Sequence, residues 1–386
     1  MSTTTADFEQ LQEELNVDGV SAALSTLVNR LREQKKYHEL FEALKMQLRH
    51  DIGLPVMYSD AGDDLAPPQR EKLEDGLIEA CREVGLLLLK DGKIREGWMY
   101  LRPVGDKQEA ANILAEIEPN DDNIDEIVEV ALQEGVNTRV GYQLVLDHFG
   151  TCNAITTFES QIAGRGKEEQ RDAVELLVRH VHEELTAAVI ADIAQQEGNE
   201  SPEKTLKELV ADREWMFNEN SYHIDTTHLA STVRFAKILE DEACLRLALD
   251  LTEYGHRLSG QFQYQGDEPF ADIYPSHALY LSALIGEQVD EAIAYFREKA
   301  ETVDINEIGT IAIETYIELL ARLGRYDDAI VATIEMIPPG TQTYGQAPSL
   351  FELSQSAGSY ERFIEQCKEH DDLLGFATGI VQQKLA

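Results

Sequence analysis

The sequence predicts an all-α protein built from paired helices. Apolar residues recur at i, i+3, i+4 and i+7 through most of the chain, which is the spacing of helices that bury one face. Clusters of Gly, Pro, Asp and Asn interrupt these runs at intervals typical of helix hairpins, and β patterns are scarce. Because one helix pair cannot bury its apolar face alone, we expect successive pairs to stack on one another.

Residues 309–340 contain the clearest predicted hairpin. Its first helix is followed by a tight turn at 323–326, and its second is expected to end at Pro338, since proline cannot continue a helix. The positions predicted to be buried are Ile313, Tyr316, Ile317 and Leu320 on the first helix and Ala329, Ile330, Thr333 and Ile337 on the second.

This hairpin resembles a tetratricopeptide repeat. Gly324, Tyr326 and Ala329 stand where that family has its turn glycine, its turn aromatic and its close-packing small residue. The hairpin departs from the family at Ile317, where a glycine is usual, and at Thr333, where an aromatic residue is usual. Degenerate copies occur at 24–44, 81–101, 278–296 and 349–367. The resemblance implies an irregular α-solenoid of antiparallel helix hairpins, whose concave face binds a peptide or a partner protein.

Polar interruptions suggest how the chain is divided. The polar segment at 196–205 predicts a surface linker. We therefore expect an N-terminal helical-repeat lobe at 1–195, a boundary at 196–222 and a C-terminal lobe at 223–386. The longest polar interruption of the C-terminal lobe is the predicted loop at 259–276. Loops of this length are either functional or merely mobile.

The charge balance narrows the classes of partner. There are 72 acidic and 33 basic residues, a formal net charge of −39. Such a surface repels phosphate backbones and anionic membranes, which argues against nucleic acid and membrane partners. The acids are spread along helices, as on a solvated surface, and they favour a basic segment as ligand.

The cellular location is predicted from the absence of a membrane-spanning segment and of a signal peptide in the sequence. No apolar run reaches the roughly 18 residues that span a bilayer. The N-terminal residues show neither the basic patch nor the apolar core of a signal peptide, so a cytoplasmic protein is expected. The four cysteines are far apart and form no CxxC pair, which favours reduced thiols.

A histidine-rich stretch, residues 222–277, is the candidate site. It holds four of the ten histidines, with tyrosines and acids between them. His223, Asp225 and His228 form a His-x-Asp-x-x-His string, and imidazole and carboxylate both suit zinc, iron or manganese. Asp225 also precedes an amphipathic helix, where it is a natural N-cap, and the two roles are compatible.

The ends of helices are expected to affect the protonation states of His228, His256 and His277. Ser276 is predicted to be an N-cap, which places His277 in a first helical turn. His228 and His277 would then lie near positive helix ends, which favour the neutral imidazole that a metal ligand or a general base requires. His256 lies at a predicted helix C-terminus, where the protonated form is favoured and a carbonyl or carboxylate contact is expected.

The loop residues Tyr264, Asp272 and Tyr274 combine aromatic rings and charge, which can grip a sugar or a cation. The candidate ligand-binding residues are therefore His223, Asp225, His228, His256, Tyr264, Asp272, Tyr274 and His277. The candidate metal ligands are His223, His228 and His277. The alternative interpretation is a set of structural histidines with a docking loop.

Three hypotheses of function stay open. The leading hypothesis is a protein- or peptide-interaction module without a cofactor. The alternative is a metal-dependent enzyme or a small-molecule binder that uses residues 222–277 and a divalent metal ion. A third hypothesis is a structural scaffold subunit with no pocket. The sequence contains no P-loop, dinucleotide-binding, nucleophile-elbow or HExxH motif, and it specifies no reaction.

Overall fold

The computed structural model describes residues 3–57, 65–199 and 201–385. Within these ranges the protein is helical, and β pairing is limited to one isolated bridge between Gln265 and Asp272. The predicted all-α class is therefore confirmed. None of the helices in these ranges is both long enough and apolar enough to cross a membrane.

The chain divides into two compact units, Met1–His148 and Phe149–Ala386. The division falls beside Gly150, whose φ of 81° and ψ of 172° break the helical run Thr138–Thr157. The stretch 196–222, predicted as a boundary between lobes, lies inside the second unit. A separation of lobes at that stretch stays a prediction.

The first unit is a succession of helices joined by short turns. Those described there are α1 (Thr3–Val17), α2 (Val20–Glu33), α3 (Tyr37–Asp51), α4 (Pro67–Lys90), α5 (Ile94–Leu101), α6 (Gln108–Glu116), α7 (Ile124–Val128) and the start of α8 (Thr138–Thr157). Each of the first four packs on the next one along the chain. The degenerate hairpins at 24–44 and 81–101 fall on α2–α3 and α4–α5.

Two glycines let α4 and α5 approach closely. A Cβ atom built on Gly85 would lie 2.9 Å from the carbonyl oxygen of Gly97, and one built on Gly97 would lie 2.9 Å from the carbonyl oxygen of Gly85. Gly92 forms the turn between the helices with φ at 78°. Its left-handed conformation is one that glycine adopts without strain.

Within the described residues, the second unit continues with helices of 4 to 31 residues and three short 3₁₀ segments. Its helices after α8 are α9 (Lys167–Glu197), α10 (Leu206–Ala211), α11 (Thr226–Phe235), α12 (Glu242–Arg257), α13 (Ile273–Leu284), α14 (Val289–Thr302), α15 (Ile305–Ile308), α16 (Ile311–Arg322), α17 (Tyr326–Met336), α18 (Leu350–Ala357), α19 (Glu361–Glu369) and α20 (Leu373–Leu385). The 3₁₀ segments are Glu214–Phe217, Ala236–Ile238 and Gly260–Phe262.

Helix α9 is the central element of the second unit. Its 31 residues carry a stripe of buried apolar side chains at helical spacing. The stripe consists of Ala173, Val174, Leu177, Val178, Val181, Leu185, Val189 and Ile193. Helices α10, α11 and α12 pack on α9. The helix ends at Gly198, whose φ of 74° closes it in the left-handed conformation.

The hairpin at 309–340 forms helices α16 and α17, joined through Gly324 at φ 71°. All four positions predicted to be buried on α16 are buried, as are Ala329 and Ile330 on α17. Thr333 and Ile337 are only half-buried, so that part of the prediction is wrong. Ile337 lies just beyond the end of α17 at Met336, whereas nothing in the structure explains the partial exposure of Thr333 inside the helix.

Candidate functional site

His223 is held in a hydrogen-bonded cluster by α9 and α12. Its Nδ1 lies 2.8 Å from the hydroxyl of Tyr254, and its Nε2 lies 3.0 Å from Oδ2 of Asp192. The backbone N–H of His223 also donates to the Tyr254 hydroxyl, at 3.0 Å. Burial raises the pKa of Tyr254 to about 12, so the phenol keeps its proton and can donate it to Nδ1. Protein groups therefore engage both ring nitrogens of His223.

Asp225 is the N-cap of α11, as predicted. Its Oδ1 accepts from the backbone N–H of Thr227 at 2.8 Å and from that of His228 at 3.2 Å. The hydroxyl of Thr227 donates to the same oxygen, and this bond is the main reason that the pKa of Asp225 is lowered. His228 is half-buried in the first turn of this helix.

The start of α13 differs from the prediction. The helix begins at Ile273 with Asp272 at the N-cap position, and Ser276 is inside it, its hydroxyl donating to the carbonyl of Asp272 at 2.5 Å. The prediction that Ser276 caps the helix is therefore wrong. Pro275 occupies the first turn, where the N–H that proline lacks has no helical partner in any case.

His277 consequently lies in the second turn of α13 and is buried. Its Nδ1 donates to the carbonyl of Ile273 at 2.7 Å. Its ring stacks on Phe270, with the centroids 4.1 Å apart. Burial lowers the pKa of His277 to about 4, and the charges of Lys237 and Arg234 act in the same direction.

We expect His277 to make stability depend on pH. A histidine in the unfolded chain has a pKa of about 6.5, so the unfolded state takes up a proton before the folded state does as the pH falls. Stability is then fully present above pH of about 6.5 and is lost as the pH falls through about 4, by up to about 3 kcal/mol. Urea unfolding at several pH values checks this. His277→Phe should flatten the dependence in this window, and an unchanged slope would contradict the assignment.

The loop before α13 is docked by aromatic contacts. Phe270 is buried and contacts the rings of His277, Tyr280 and Phe296. Glu268 forms an ion pair with Lys299 at 2.9 Å. These contacts attach the loop to α13 and α14, as the alternative interpretation of a docking loop expects.

The other predicted residues of this stretch differ in their exposure and partners. Tyr264 is partly exposed and lies 2.9 Å from the Thr226 hydroxyl through its own hydroxyl. Tyr274 is buried, with its ring packed so closely on Gly255 that a Cβ there would lie 2.2 Å from it. Asp272 is exposed, and His256 is exposed near the C-terminus of α12, where it lines a cavity of about 390 Å³ together with Tyr274.

The structure does not gather the predicted metal ligands. Across residues 3–57, 65–199 and 201–385, no group of three or more His, Cys, Asp or Glu side chains is placed to hold a metal ion. His223, His228 and His277 therefore form no such group. The contacts described above occupy both ring nitrogens of His223 and Nδ1 of His277.

A second cavity, of about 480 Å³, is lined by cations that the sequence interpretation did not single out. Its walls come from α9, α16, α17, the segment 237–240 and the loop 344–348. The four cations are Lys167, Arg171, Lys237 and Arg322, and we call this space the cationic cavity. One sequence signal was present, since Lys237 interrupts an apolar run, FAKIL. A lysine in such a run is expected to be partly buried.

Three of these cations are bonded to neutral oxygens. Lys167 Nζ donates to the backbone carbonyl of Gln346, and Lys237 Nζ donates to its side-chain oxygen, each at 3.2 Å. Arg322 donates to the backbone carbonyls of Lys237 and Leu239. These bonds position the cations without neutralising their charge.

The cavity carries an excess of positive charge. Arg171 pairs with Glu240 at 2.6 Å, and Glu318 is the second carboxylate on the wall. Four cations against two carboxylates leave two positive charges, in a chain whose net charge is −39. The lining is thus opposite in sign to the protein as a whole.

A buried carboxylate fixes the loop that bears Gln346. Glu314 on α16 is 1% exposed and accepts three hydrogen bonds. The donors are the backbone N–H of Tyr344 and of Gln346, each at 2.8 Å, and the hydroxyl of Thr310 at 2.5 Å. The loop and the two lysines bonded to it are therefore tied to α16.

The candidate functional site is the cationic cavity, and the histidine-rich stretch approaches it through Phe270. Lys237 Nζ is 5.9 Å from the centroid of the Phe270 ring, whose other neighbours include His277. Scans against models of protein families, against curated proteins and against solved structures found no significant match to this chain.

Proposed function

We propose that this chain is a binding protein that takes up a small molecule bearing a carboxylate in the cationic cavity. The observation that carries the proposal is the excess of two positive charges in a partly enclosed space of a strongly acidic protein. Cations removed from water without a counter-ion are unfavourable. A bound anion supplies the missing charge.

The dimensions of the cavity suit a small molecule. Ligand pockets have volumes of about 300–1,000 Å³, and the cationic cavity measures about 480 Å³. Its lining mixes charged groups with apolar ones such as Ala163, Ile238 and Ala321. This mixture is typical of pockets in which a few polar groups orient a largely apolar ligand.

The hydrogen-bonding capacity of the lining supports a carboxylate in particular. A guanidinium has five N–H donors in a planar fork, and Arg322 uses two of its nitrogens on backbone carbonyls. Lys167 and Lys237 each have further N–H groups beyond the bond to Gln346. Charge-assisted bonds to a carboxylate are the strong type for these donors.

Calorimetric titration with succinate at neutral pH and low salt tests the proposal. Binding is expected for the unmodified protein and should weaken on adding salt. Lys167→Met should reduce the affinity by about tenfold, because it removes one charge-assisted contact. Lys207→Met, which alters an exposed lysine on α10 outside the cavity, is the matched control and should leave the affinity unchanged.

Inorganic phosphate provides the second arm of this titration. Tighter binding of phosphate than of succinate would reassign the ligand to the phosphate class. If neither anion binds, or if Lys167→Met and Lys207→Met behave alike, the proposed function is wrong.

A second candidate function is a protein-interaction scaffold, as the tetratricopeptide resemblance implies. In favour of it, α20 exposes an apolar stripe at helical spacing, formed by Leu373, Leu374, Ile380, Val381 and Leu385. Each helix from α16 to α19 packs on its successor, which suits a solenoid of stacked hairpins. The basic ligand predicted from the acidic surface belongs to this candidate and not to the cationic cavity.

A further inference from the structure

The proposed binding function does not explain why Lys237, in the cationic cavity, is half-buried without a carboxylate partner in the described part of the chain. It is half-buried, and the hydrogen bond of its Nζ is to the amide oxygen of Gln346 at 3.2 Å. Within the described residues, no carboxylate oxygen lies within the 4.0 Å of an ion pair. Burial lowers the pKa of this amine, and the charge of Glu318 only partly opposes the effect. The neutral, nucleophilic form of the amine is thereby more accessible than in a solvated lysine.

Glu318 lines the same cavity and shows the opposite shift. Burial raises the pKa of its carboxyl group, against the influence of Lys167, Arg322, Lys237 and Arg171. It too takes part in no ion pair in the portion of the chain that the structure describes. An amine and a carboxyl group that are both shifted towards their neutral forms thus line one cavity. Such a pairing supplies a nucleophile and a proton donor together.

We propose that Lys237 forms an imine with the carbonyl carbon of a small 2-oxo acid held in the cationic cavity, with Glu318 as the proton donor. This inference rests on the proposed binding of a carboxylate in that cavity. The carboxylate of the 2-oxo acid would be held by Lys167, Arg171 and Arg322, which leaves the amine of Lys237, on the wall of the same cavity, to meet the carbonyl carbon.

The step balances with the groups present. The Lys237 nitrogen attacks the carbonyl carbon, and one of its protons moves to the former carbonyl oxygen, which gives a carbinolamine. Glu318 then donates its proton to that hydroxyl group. The C–O bond breaks, water leaves and the C=N bond forms as an iminium ion. Glu318 is left as the carboxylate that offsets the charge of the iminium ion.

The two lysines of the cavity differ in a way that selects Lys237. Lys167 is exposed to solvent, whereas Lys237 is half-buried beside Phe270. Solvent stabilises the charged, non-nucleophilic form of an amine, and an apolar neighbour does not. Lys167 is therefore expected to bind the carboxylate, and Lys237 to react.

Reductive trapping tests the inference. The full chain is incubated with pyruvate and sodium cyanoborohydride at neutral pH, and its intact mass and peptides are measured. One reduced adduct per chain is expected, on the peptide that contains Lys237. Lys237→Arg should abolish it, and Glu318→Gln should slow its formation by about 100-fold, the usual contribution of a proton donor. Lys207→Met should leave the rate unchanged.

The outcomes separate this inference from the binding function. Lys237→Arg keeps the positive charge, so its circular dichroism and its binding of succinate show whether the variant is folded. Succinate binding without a pyruvate adduct would overturn the imine alone, and loss of both would overturn the two proposals together. An adduct that persists in Lys237→Arg, or one spread over the exposed lysines as in the urea-unfolded chain, also overturns it.

Discussion

Replacing Glu314 by leucine is expected to destabilise the second unit by about 3 kcal/mol, because hydrogen bonds to a charged group contribute about 1.5–3 kcal/mol each. Glu314 accepts bonds from Tyr344, Gln346 and Thr310, and leucine accepts none. Part of the lost stability is recovered, because the loop at 341–348 can detach and its N–H groups can then bond to water. Urea unfolding followed by circular dichroism measures the change, and amide hydrogen exchange should show lost protection at Tyr344 and Gln346.

Glu314→Gln is the matched control for this prediction. Glutamine keeps the size of the side chain and one acceptor oxygen, so a smaller loss of about 1–2 kcal/mol is expected. Both variants should also weaken succinate binding, since Gln346 positions Lys167 and Lys237 through the same loop. Unchanged hydrogen exchange in the loop of Glu314→Leu would show that the carboxylate does not hold it.

Replacing Gly97 by valine is expected to destabilise the first unit by about 3 kcal/mol, at the upper end of overpacking effects. A Cβ at Gly97 would lie 2.9 Å from the carbonyl oxygen of Gly85 and 2.9 Å from the backbone nitrogen of Leu89. Backbone atoms cannot rotate away as a side chain does, so α4 and α5 have to separate. The fluorescence of Trp98, buried on α5, reports unfolding of this unit when Trp215 is replaced by phenylalanine.

Gly92→Ala separates packing from backbone strain. A Cβ at Gly92 meets nothing within 4 Å, and its positive φ predicts a cost of about 1 kcal/mol. The loss should therefore be clearly smaller than that of Gly97→Val. Equal losses in the two variants would mean that close approach of the helices is not the cause.

The local features of the fold were predictable because nearby residues determine them. The periodicity of 309–340 predicted α16, the turn at Gly324 and the buried face of α16. Asp225 before an amphipathic run predicted an N-cap, and its carboxylate does accept from the first backbone N–H groups of α11. These features involve contacts within about one helical turn.

The errors arose where two local signals competed. Ser276 resembles a cap, but Pro275 fits inside a first helical turn and moved the start of α13 back to Ile273. His277 was expected near a positive helix end, whereas its burial against Phe270 now controls its pKa. Burial of the ring, rather than proximity to a helix end, is the main cause of its lowered pKa.

The sequence by itself determined the helical class, the hairpin at 309–340 and the cap at Asp225, because hydrophobic spacing and end residues act over a few neighbours. The tertiary structure alone decided which charges meet. Lys167, Lys237 and Arg322 come from three elements far apart in the chain, and no spacing rule relates them. Their common cavity exists because α9, the 3₁₀ segment at Ala236–Ile238 and α16 converge, and Glu314 holds the loop that joins them.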